Sequence, residues 1–357
     1  MTTEINFGKT LTLQQAAALI LATPKNRYLL EGEPGIGKSS IMNILSKARP
    51  DYWTSYMDVP TMDLGDIAMP MVDKEKRITE YAPNSRFMLQ KGEPVIIMLD
   101  EFSKGADPIK NMLHPMLETN KPRLGDIDID PRSIVYLTGN LSSDGVGDSL
   151  KAHTKAGRVI IIRVRKPNHE EWLPWAVSNN INGVVCAWVD KYPHCLASYL
   201  DGGQSDNPYI FNPKKVMTAC VTPRSLERAS YILDAREALD DDTLIAALSG
   251  CLGESAARDI QAYVAYQDQL PHWSDIISDP KGAKVPHDAG ACSVMVYSSI
   301  QKIDKSNMDN FMKYLQRFDS EWQAAFAVNI AKDKTKQAVA FSSKAFANWV
   351  EKNEDLL

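Results

Sequence analysis

The sequence lacks a long hydrophobic run. Its longest unbroken apolar stretch, Ala16 to Ala22, spans seven residues, far short of the ~20 that a membrane-spanning helix needs. The amino terminus, which reads Met1-Thr2-Thr3-Glu4, carries no charged and then apolar leader. We therefore expect no membrane association and predict a cytoplasmic protein.

Paired cysteines are also lacking. The chain has five cysteines, and none of them belongs to a Cys-x-x-Cys pair. A scattered, odd-numbered set is typical of reduced intracellular thiols rather than of a disulfide framework or a zinc cluster. The sequence therefore predicts no metal site built on its cysteines, which are Cys186, Cys195, Cys220, Cys251 and Cys292.

An excess of positive charge is absent as well. The 45 Asp and Glu residues outnumber the 40 Lys and Arg residues, which gives a formal net charge of −5. This balance argues against a surface covered in positive charge for binding bulk DNA or anionic membranes, although it leaves room for a local basic groove or pore. The 357 residues suffice for one large domain with smaller ones beside it.

Short apolar runs alternate with helical patterns in the first part of the chain. Such runs, unbroken by polar residues and separated by helices, are typical of strands that are buried on both faces of a parallel sheet. The sequence therefore predicts an α/β domain over residues 1–167, with a parallel sheet flanked by helices. The predicted strands are 27–30, 52–59, 95–99, 134–138 and 159–162, and the predicted helices are 11–23 and 38–48.

The pattern becomes helical after Pro167. Breaks at Pro271-His272 and at 279–282 separate the later helical segments from the earlier ones. We predict an all-helical lid domain over 168–272 and a C-terminal helical extension over 273–357, whose role the sequence does not reveal. The predicted helices include 170–178, 183–190, 223–238, 242–269 and 307–318.

The segment 32–39 carries the most specific chemical signal. It reads GEPGIGKS and fits the pattern G-x-x-x-x-G-K-[ST] without a mismatch. Its glycines allow backbone N–H groups to surround phosphate oxygens, and the following helix directs its positive end at them. Lys38 would contact the β- and γ-phosphates, and the Ser39 hydroxyl would bind Mg²⁺. The predicted nucleotide-binding residues are Gly32, Glu33, Pro34, Gly35, Ile36, Gly37, Lys38, Ser39 and Ser40.

Two carboxylates follow the apolar run 95–99. The carboxyl ends of parallel strands form the edge of the sheet where ligands bind in such folds. Asp100 would hold Mg²⁺ and its waters there, and Glu101 would polarise an attacking water. The alternative is a strand end with two solvated charges.

Three further residues are candidates for catalytic roles. Asn140 follows the strand 134–138, where its amide can hydrogen-bond both water and a γ-phosphate; the alternative is an Asn selected for turn geometry. Arg158 precedes the strand 159–162, and Arg224 lies at a helix start in Thr-Pro-Arg-Ser. A single arginine is more often a solvated surface charge, so each of these two is a weak signal by itself.

Together, these elements resemble the AAA+ ATPases in order and spacing. In that superfamily they are Walker A, Walker B, sensor 1, the arginine finger and sensor 2. Over residues 10–270 the chain is most similar to the MoxR-like branch, through the segments 33–39 and 62–67 and the Pro-Arg pair at 223–224, and a phage-encoded member is expected. It departs from that branch at 102–104, which reads Phe-Ser-Lys instead of Ile-Asn-Arg, and at Val159, where Phe is usual.

The resemblance implies a Mg²⁺-dependent ATPase with ATP and Mg²⁺ as its cofactors. It implies a ring, expected to be a hexamer, with nucleotide between subunits and with catalytic roles for Glu101, Asn140, Arg158 and Arg224. A chaperone-like role is implied, in which the ring remodels or activates a partner protein, commonly one with a von Willebrand factor A domain.

The resemblance also implies that two inserts, residues 62–88 and 122–131, project toward the ring or its pore. From the residues alone, we expect Ile127 and Ile129 to have little core to join, since they alternate with acidic side chains in a short turn. The alternative is a solvated acidic ribbon at an edge.

Two other functions stay open from the sequence. A nucleic-acid motor or restriction-type subunit, driven by ATP or GTP, could use the lysines of 302–336 to contact phosphates, although such a run is more often a solvated helix face. No guanine-reading [NT]-K-x-D follows, because the segment 120–123 reads Asn-Lys-Pro-Arg. A small-molecule P-loop kinase would explain the phosphate loop but not the paired acids, Asn140 or the helical tail.

Overall fold

The computed structural model describes residues 9–141, 157–212 and 219–356. The chain divides into two units, Met1–Lys166 and Pro167–Leu357. Within the described ranges, no helix is long and apolar enough to cross a membrane.

The first unit contains a five-stranded parallel sheet and two short antiparallel hairpins. The sheet order is β2-β5-β8-β1-β9, and the hairpins are β3–β4 and β6–β7. All side chains from Val95 to Leu99 in the central strand β5 are buried, because both faces of the sheet are covered. The predicted α/β class is therefore confirmed. The strands are β1 Tyr28–Gly32, β2 Trp53–Asp58, β3 Ala68–Asp73, β4 Ile78–Pro83, β5 Val95–Asp100, β6 Arg123–Leu124, β7 Ile127–Asp128, β8 Ile134–Asn140 and β9 Ile160–Arg163.

In the part of the first unit that the structure describes, three α-helices accompany this sheet: α1 Leu13–Ala22, α2 Ile41–Ala48 and α3 Asp107–Leu113. Thr12 begins α1 with a capping box, in which its side chain and that of Gln15 each accept a backbone N–H. The helix predicted over 38–48 begins as a 3₁₀ turn, Lys38–Ser40, before α2 continues it. Apolar side chains of α1 and α2 pack on one face of the sheet, and those of α3 and the inserts pack on the other.

The second unit is helical in its described residues. The helix predicted over 242–269 is divided at Gly253, which adopts a left-handed φ of 89° that favours glycine. Side chains from both 168–272 and 273–357 share one hydrophobic core. The lid and the extension, as separate domains, stay a prediction. The helices are α4 His169–Ser178, α5 Gly183–Lys191, α6 Pro223–Asp234, α7 Asp241–Leu252, α8 Glu254–Asp268, α9 Trp273–Ser278, α10 Ala289–Lys302, α11 Met308–Leu315, α12 Ser320–Lys332, α13 Lys334–Ser342 and α14 Lys344–Lys352.

The second insert, residues 122–131, buries some of its apolar side chains and contacts the first insert, residues 62–88. In the hairpin β6–β7 and the residue that follows it, Leu124 and Ile129 are buried in the core of the first unit, while Ile127 is exposed. The expectation that Ile129 has little core to join is wrong, because its side chain packs with that of Leu124 in the core of the first unit. The two inserts also bond to each other: Tyr81 N–H donates to Asp126 Oδ2 at 2.6 Å, and Asp126 N–H donates to the Tyr81 carbonyl at 3.0 Å.

Candidate nucleotide-binding site

The predicted phosphate loop joins the carboxyl end of β1 to α2. Gly35 and Gly37 adopt left-handed φ angles of 74° and 97°, a backbone conformation that glycine reaches without a steric penalty. Gly32 is restricted for another reason: a Cβ at this position would lie 2.5 Å from the carbonyl oxygen of Val164. Both features explain why the turn needs glycines at these places. Ser40 closes it by donating its hydroxyl to the Gly37 carbonyl at 2.7 Å.

The Lys38 ammonium lies inside this turn and is almost completely buried. It donates to the carbonyl oxygens of Gly32 and Glu33, at 2.8 Å each, and to Asn140 Oδ1 at 3.1 Å. The hydrogen bond between Lys38 and Asn140 thus joins the phosphate loop directly to the end of β8. The two residues are 102 positions apart in the sequence.

Four polar side chains share the sheet face on which α2 packs. Successive side chains of a strand point to opposite faces, so Asp100 lies on the same face as Met98, and Thr138 and Asn140 lie on the same face as Tyr136. Tyr56 takes this face as well, because its neighbour Met57 packs on the other one. The parallel register brings these strand ends together beside the phosphate loop.

Asp100 is the centre of a hydrogen-bonded group at this edge. Its Oδ1 accepts the Thr138 hydroxyl, and its Oδ2 accepts the Tyr56 hydroxyl at 2.8 Å. The Ser39 hydroxyl also lies against Oδ2, at 3.4 Å. Strands β2, β5 and β8 and the phosphate loop therefore all contribute to orienting this carboxylate.

Glu101 follows with a left-handed backbone, φ 50° and ψ 35°, which is uncommon outside glycine. Its N–H donates to Thr138 Oγ1 at 3.1 Å, so one buried hydroxyl contacts both acidic residues. Its Oε2 forms an ion pair with Lys104 Nζ at 2.7 Å. Such outliers cluster at functional sites, where surrounding contacts hold them in place.

Tyr136 lies beneath this group, and its hydroxyl has no hydrogen-bond partner among the described residues. Burial, together with the nearby charge of Asp100, raises the pKa of Tyr136 well above its usual range. The phenol therefore stays neutral at physiological pH.

The two candidate arginines belong to other elements of the chain. Arg158 precedes β9, whose first residue pairs with Tyr28 at the beginning of β1. Because the strands are parallel, Arg158 lies at the opposite edge of the sheet from Lys38. Its Nε donates to Glu118 Oε1 at 2.9 Å, and both side chains are substantially exposed. Arg224 belongs to the second unit, in the first turn of α6, where Thr222 caps the helix.

The donor set around Ser39 and Asp100 suits Mg²⁺, which prefers hard oxygen ligands and takes few of them from the protein. The two oxygens are close enough, at 3.4 Å, to serve one ion. No group of three or more His, Cys, Asp and Glu residues suited to a metal occurs within the described ranges. Two protein oxygens of this kind suit an ion that takes its remaining ligands from phosphates and water.

Sequence reasoning missed Tyr56 and Thr138. Thr138 could have been found, because it precedes Asn140 by two positions on one strand and so shares its face. Tyr56 gives no comparable signal, since its role depends on how β2 is paired with β5. In the sequence Lys104 is only a departure from the MoxR pattern. In the structure it forms an ion pair that holds the Glu101 carboxylate.

Known proteins resemble this chain in part. Residues 27–129 match the family model described as AAA domain (dynein-related subfamily). Among solved structures, the chain is similar to an ATPase, assigned by inference, from Cytophaga hutchinsonii (14% identity, 69% of this chain and 83% of that one covered, TM-score 0.34). It is also similar to NtrX from Brucella abortus in complex with ADP (11% identity, 99% and 70% covered, TM-score 0.39). The comparison with curated proteins found no match. Residues 27–129 thus match an AAA domain, and over this part the chain is similar to the AAA+ ATPases.

Proposed function

We propose that the chain is a Mg²⁺-dependent ATPase that binds ATP at 32–40 and hydrolyses it beside Asp100 and Glu101. The observation that carries this proposal is that two contacts converge at the carboxyl edge of the sheet. Lys38 bonds to Asn140, and Ser39 lies against Asp100. A Gly-rich turn with no role in phosphate binding would not require a buried ammonium beside it.

In the proposed complex, Lys38 exchanges one of its oxygen acceptors for a phosphate oxygen. An ammonium has three donors and rotates freely, so this change needs no movement of the backbone. The N–H groups of the turn around Gly35 and Gly37 surround the remaining phosphate oxygens. Asn140 stays within reach of Lys38 and is therefore placed to contact the γ-phosphate and the attacking water.

Glu101 is our candidate for the general base. Its backbone is fixed through Thr138, and its carboxylate is held by Lys104. In the proposed reaction it accepts the proton of the attacking water while Asn140 orients that water. Mg²⁺, held by Ser39 and Asp100, would neutralise charge on the β- and γ-phosphate oxygens.

We further propose that hydrolysis occurs between subunits of a ring, expected to be a hexamer, and that Arg158 acts on the neighbouring subunit's ATP. Support comes from its place at the far edge of the sheet, away from the phosphate loop of its own chain. The exposed ion pair with Glu118 can exchange for a phosphate, since such surface pairs contribute only about 0–1 kcal/mol. Arg224 is proposed as the sensor 2 residue on the resemblance alone.

We infer that the ring remodels or activates a partner protein, as MoxR-like proteins do, and that this partner carries a von Willebrand factor A domain. The hairpin β3–β4 supports a protein partner, because apolar side chains are exposed along both of its strands. They are Met69, Met71, Val72, Ile78 and Tyr81.

The lysines of 302–336 give little support to a nucleic-acid motor. Lys336 donates to the carbonyl oxygens of Gln301 and Ile303, at 3.0 and 2.7 Å, and so caps the end of α10. Lys313 bonds to Asn310 Oδ1 at 3.0 Å. Because these two lysines serve contacts within the fold, we do not propose nucleic acid as the substrate.

Substitution of Lys38 tests the proposed site. Lys38→Ala should abolish ATP binding, measured by equilibrium titration of a fluorescent ATP analogue, because it removes the buried cation of the phosphate loop. Lys47→Ala is the matched control, since Lys47 is an exposed lysine on α2. Equal affinity of Lys38→Ala and Lys47→Ala for ATP would overturn the proposal.

A further inference from the structure

Tyr56 combines an exposed position with a hydrogen bond into the candidate site. It lies on β2, at the edge of the sheet, and 52% of its surface is exposed. Its hydroxyl nevertheless donates to Asp100 Oδ2 at 2.8 Å. An exposed tyrosine needs no such partner, because water can satisfy its hydroxyl.

The parallel register explains how this contact forms. Tyr56 is paired with Met98, so Asp100 lies two residues further along the neighbouring strand and on the same face. Diagonal neighbours of this kind are separated by roughly 7–8 Å, a gap that only a long side chain can bridge. Tyrosine spans the gap and ends in a donor, whereas phenylalanine would span it without one.

The contact restricts the rotation of the Asp100 carboxylate. The terminal torsion of aspartate is broad, so a single hydrogen bond leaves the carboxylate plane free to turn. Thr138 holds Oδ1, and Tyr56 holds Oδ2 on the side where the Ser39 hydroxyl lies. Together, the two donors present Oδ2 toward Ser39, which is the orientation that a shared ion requires.

We propose that Tyr56 is a positioning residue, which acts through Asp100 to orient the carboxylate that holds Mg²⁺ with a bound nucleotide. This inference rests on the proposed function, because it assumes that Ser39 and Asp100 are the Mg²⁺ ligands. In this proposal Tyr56 acts through Asp100 and is not itself a ligand of the metal.

The experiment compares the affinity of the full chain for ADP in the presence of Mg²⁺ and in the presence of EDTA. The ratio of the two affinities isolates the contribution of the metal from that of the phosphate loop. Tyr56→Phe should reduce this ratio roughly three- to tenfold, the range expected for one hydrogen bond, and should leave the affinity in EDTA unchanged. The melting temperature without ligand should also be unchanged, since only an exposed hydroxyl is removed.

Tyr231→Phe is the matched control. Tyr231 lies on α6, is also exposed, at 62%, and donates its hydroxyl to Glu227 Oε1 at 3.0 Å. In this control variant, the ratio of the ADP affinities with Mg²⁺ and with EDTA should equal that of the wild type. A full wild-type ratio in Tyr56→Phe would overturn the inference alone, as would an equal loss of affinity with Mg²⁺ and with EDTA. Absence of any Mg²⁺ effect in the wild type would overturn the proposed site and this inference together.

Discussion

Thr138 offers the most informative single substitution in the first unit. Its side chain is fully buried, and its hydroxyl both donates to Asp100 and accepts the N–H of Glu101. Thr138→Val keeps the shape of the side chain but removes both hydrogen bonds. Packing is thereby preserved, and any effect must come from the lost polar contacts.

The expected magnitude follows from the two groups left behind. An unsatisfied buried polar group costs about 1–3 kcal/mol, and both Asp100 and Glu101 are partly accessible to water, which offsets some of this. We therefore expect Thr138→Val to lower the free energy of unfolding of the first unit by about 2 kcal/mol. For a unit of this size, that corresponds to a fall of roughly 4–8 °C in its melting temperature.

Hydrogen exchange at the Glu101 amide is the more specific assay, because among the described residues this N–H donates to Thr138 Oγ1 alone. Loss of about 1.4 kcal/mol of local protection would raise its exchange rate roughly tenfold. Thr138→Ser should keep the wild-type exchange rate, since it retains the hydroxyl. Wild-type exchange in Thr138→Val, or equal acceleration in Thr138→Ser, would refute this reasoning.

Two further predictions concern the ring and the second insert. Arg158→Ala should bind ATP but hydrolyse it slowly, since an arginine finger supplied by a neighbouring subunit contributes roughly 10³–10⁵ in rate. Mixing Arg158→Ala subunits with Lys38→Ala subunits should restore partial ATPase activity. No recovery of activity in rings that exchange subunits would exclude action between subunits. In thermal unfolding, Ile129→Ala should destabilise the protein by about 2–4 kcal/mol, whereas Ile127→Ala should change its stability by less than about 0.5 kcal/mol. Equal effects of the two substitutions would contradict the observed burial of Ile129.

The fold was predictable wherever the local pattern decides the structure. The run Val95 to Leu99 has no polar residue, so a strand buried on both faces was the expected outcome. The phosphate loop was predictable because its glycines are needed for backbone reasons, as the φ angles of Gly35 and Gly37 show.

Contacts that depend on tertiary pairing could not be predicted. Ile127 and Ile129 look equivalent in the sequence, because both alternate with acidic residues. In the structure Ile127 is exposed, whereas Ile129 is buried in the core of the first unit. Tyr56 reaches Asp100 only because β2 lies next to β5 in the sheet. The division of the helix at Gly253 is an intermediate case, since an isolated glycine in a helical pattern indicates a break without requiring one.

The rate of ATP hydrolysis by Glu101→Gln tests the central claim most directly. The amide keeps the shape of the side chain but cannot accept the proton, so we predict that ATP still binds while phosphate release falls by roughly 10²–10⁴. Glu80→Gln, at an exposed position on β4, should hydrolyse ATP at the wild-type rate. Wild-type phosphate release from Glu101→Gln would contradict the account.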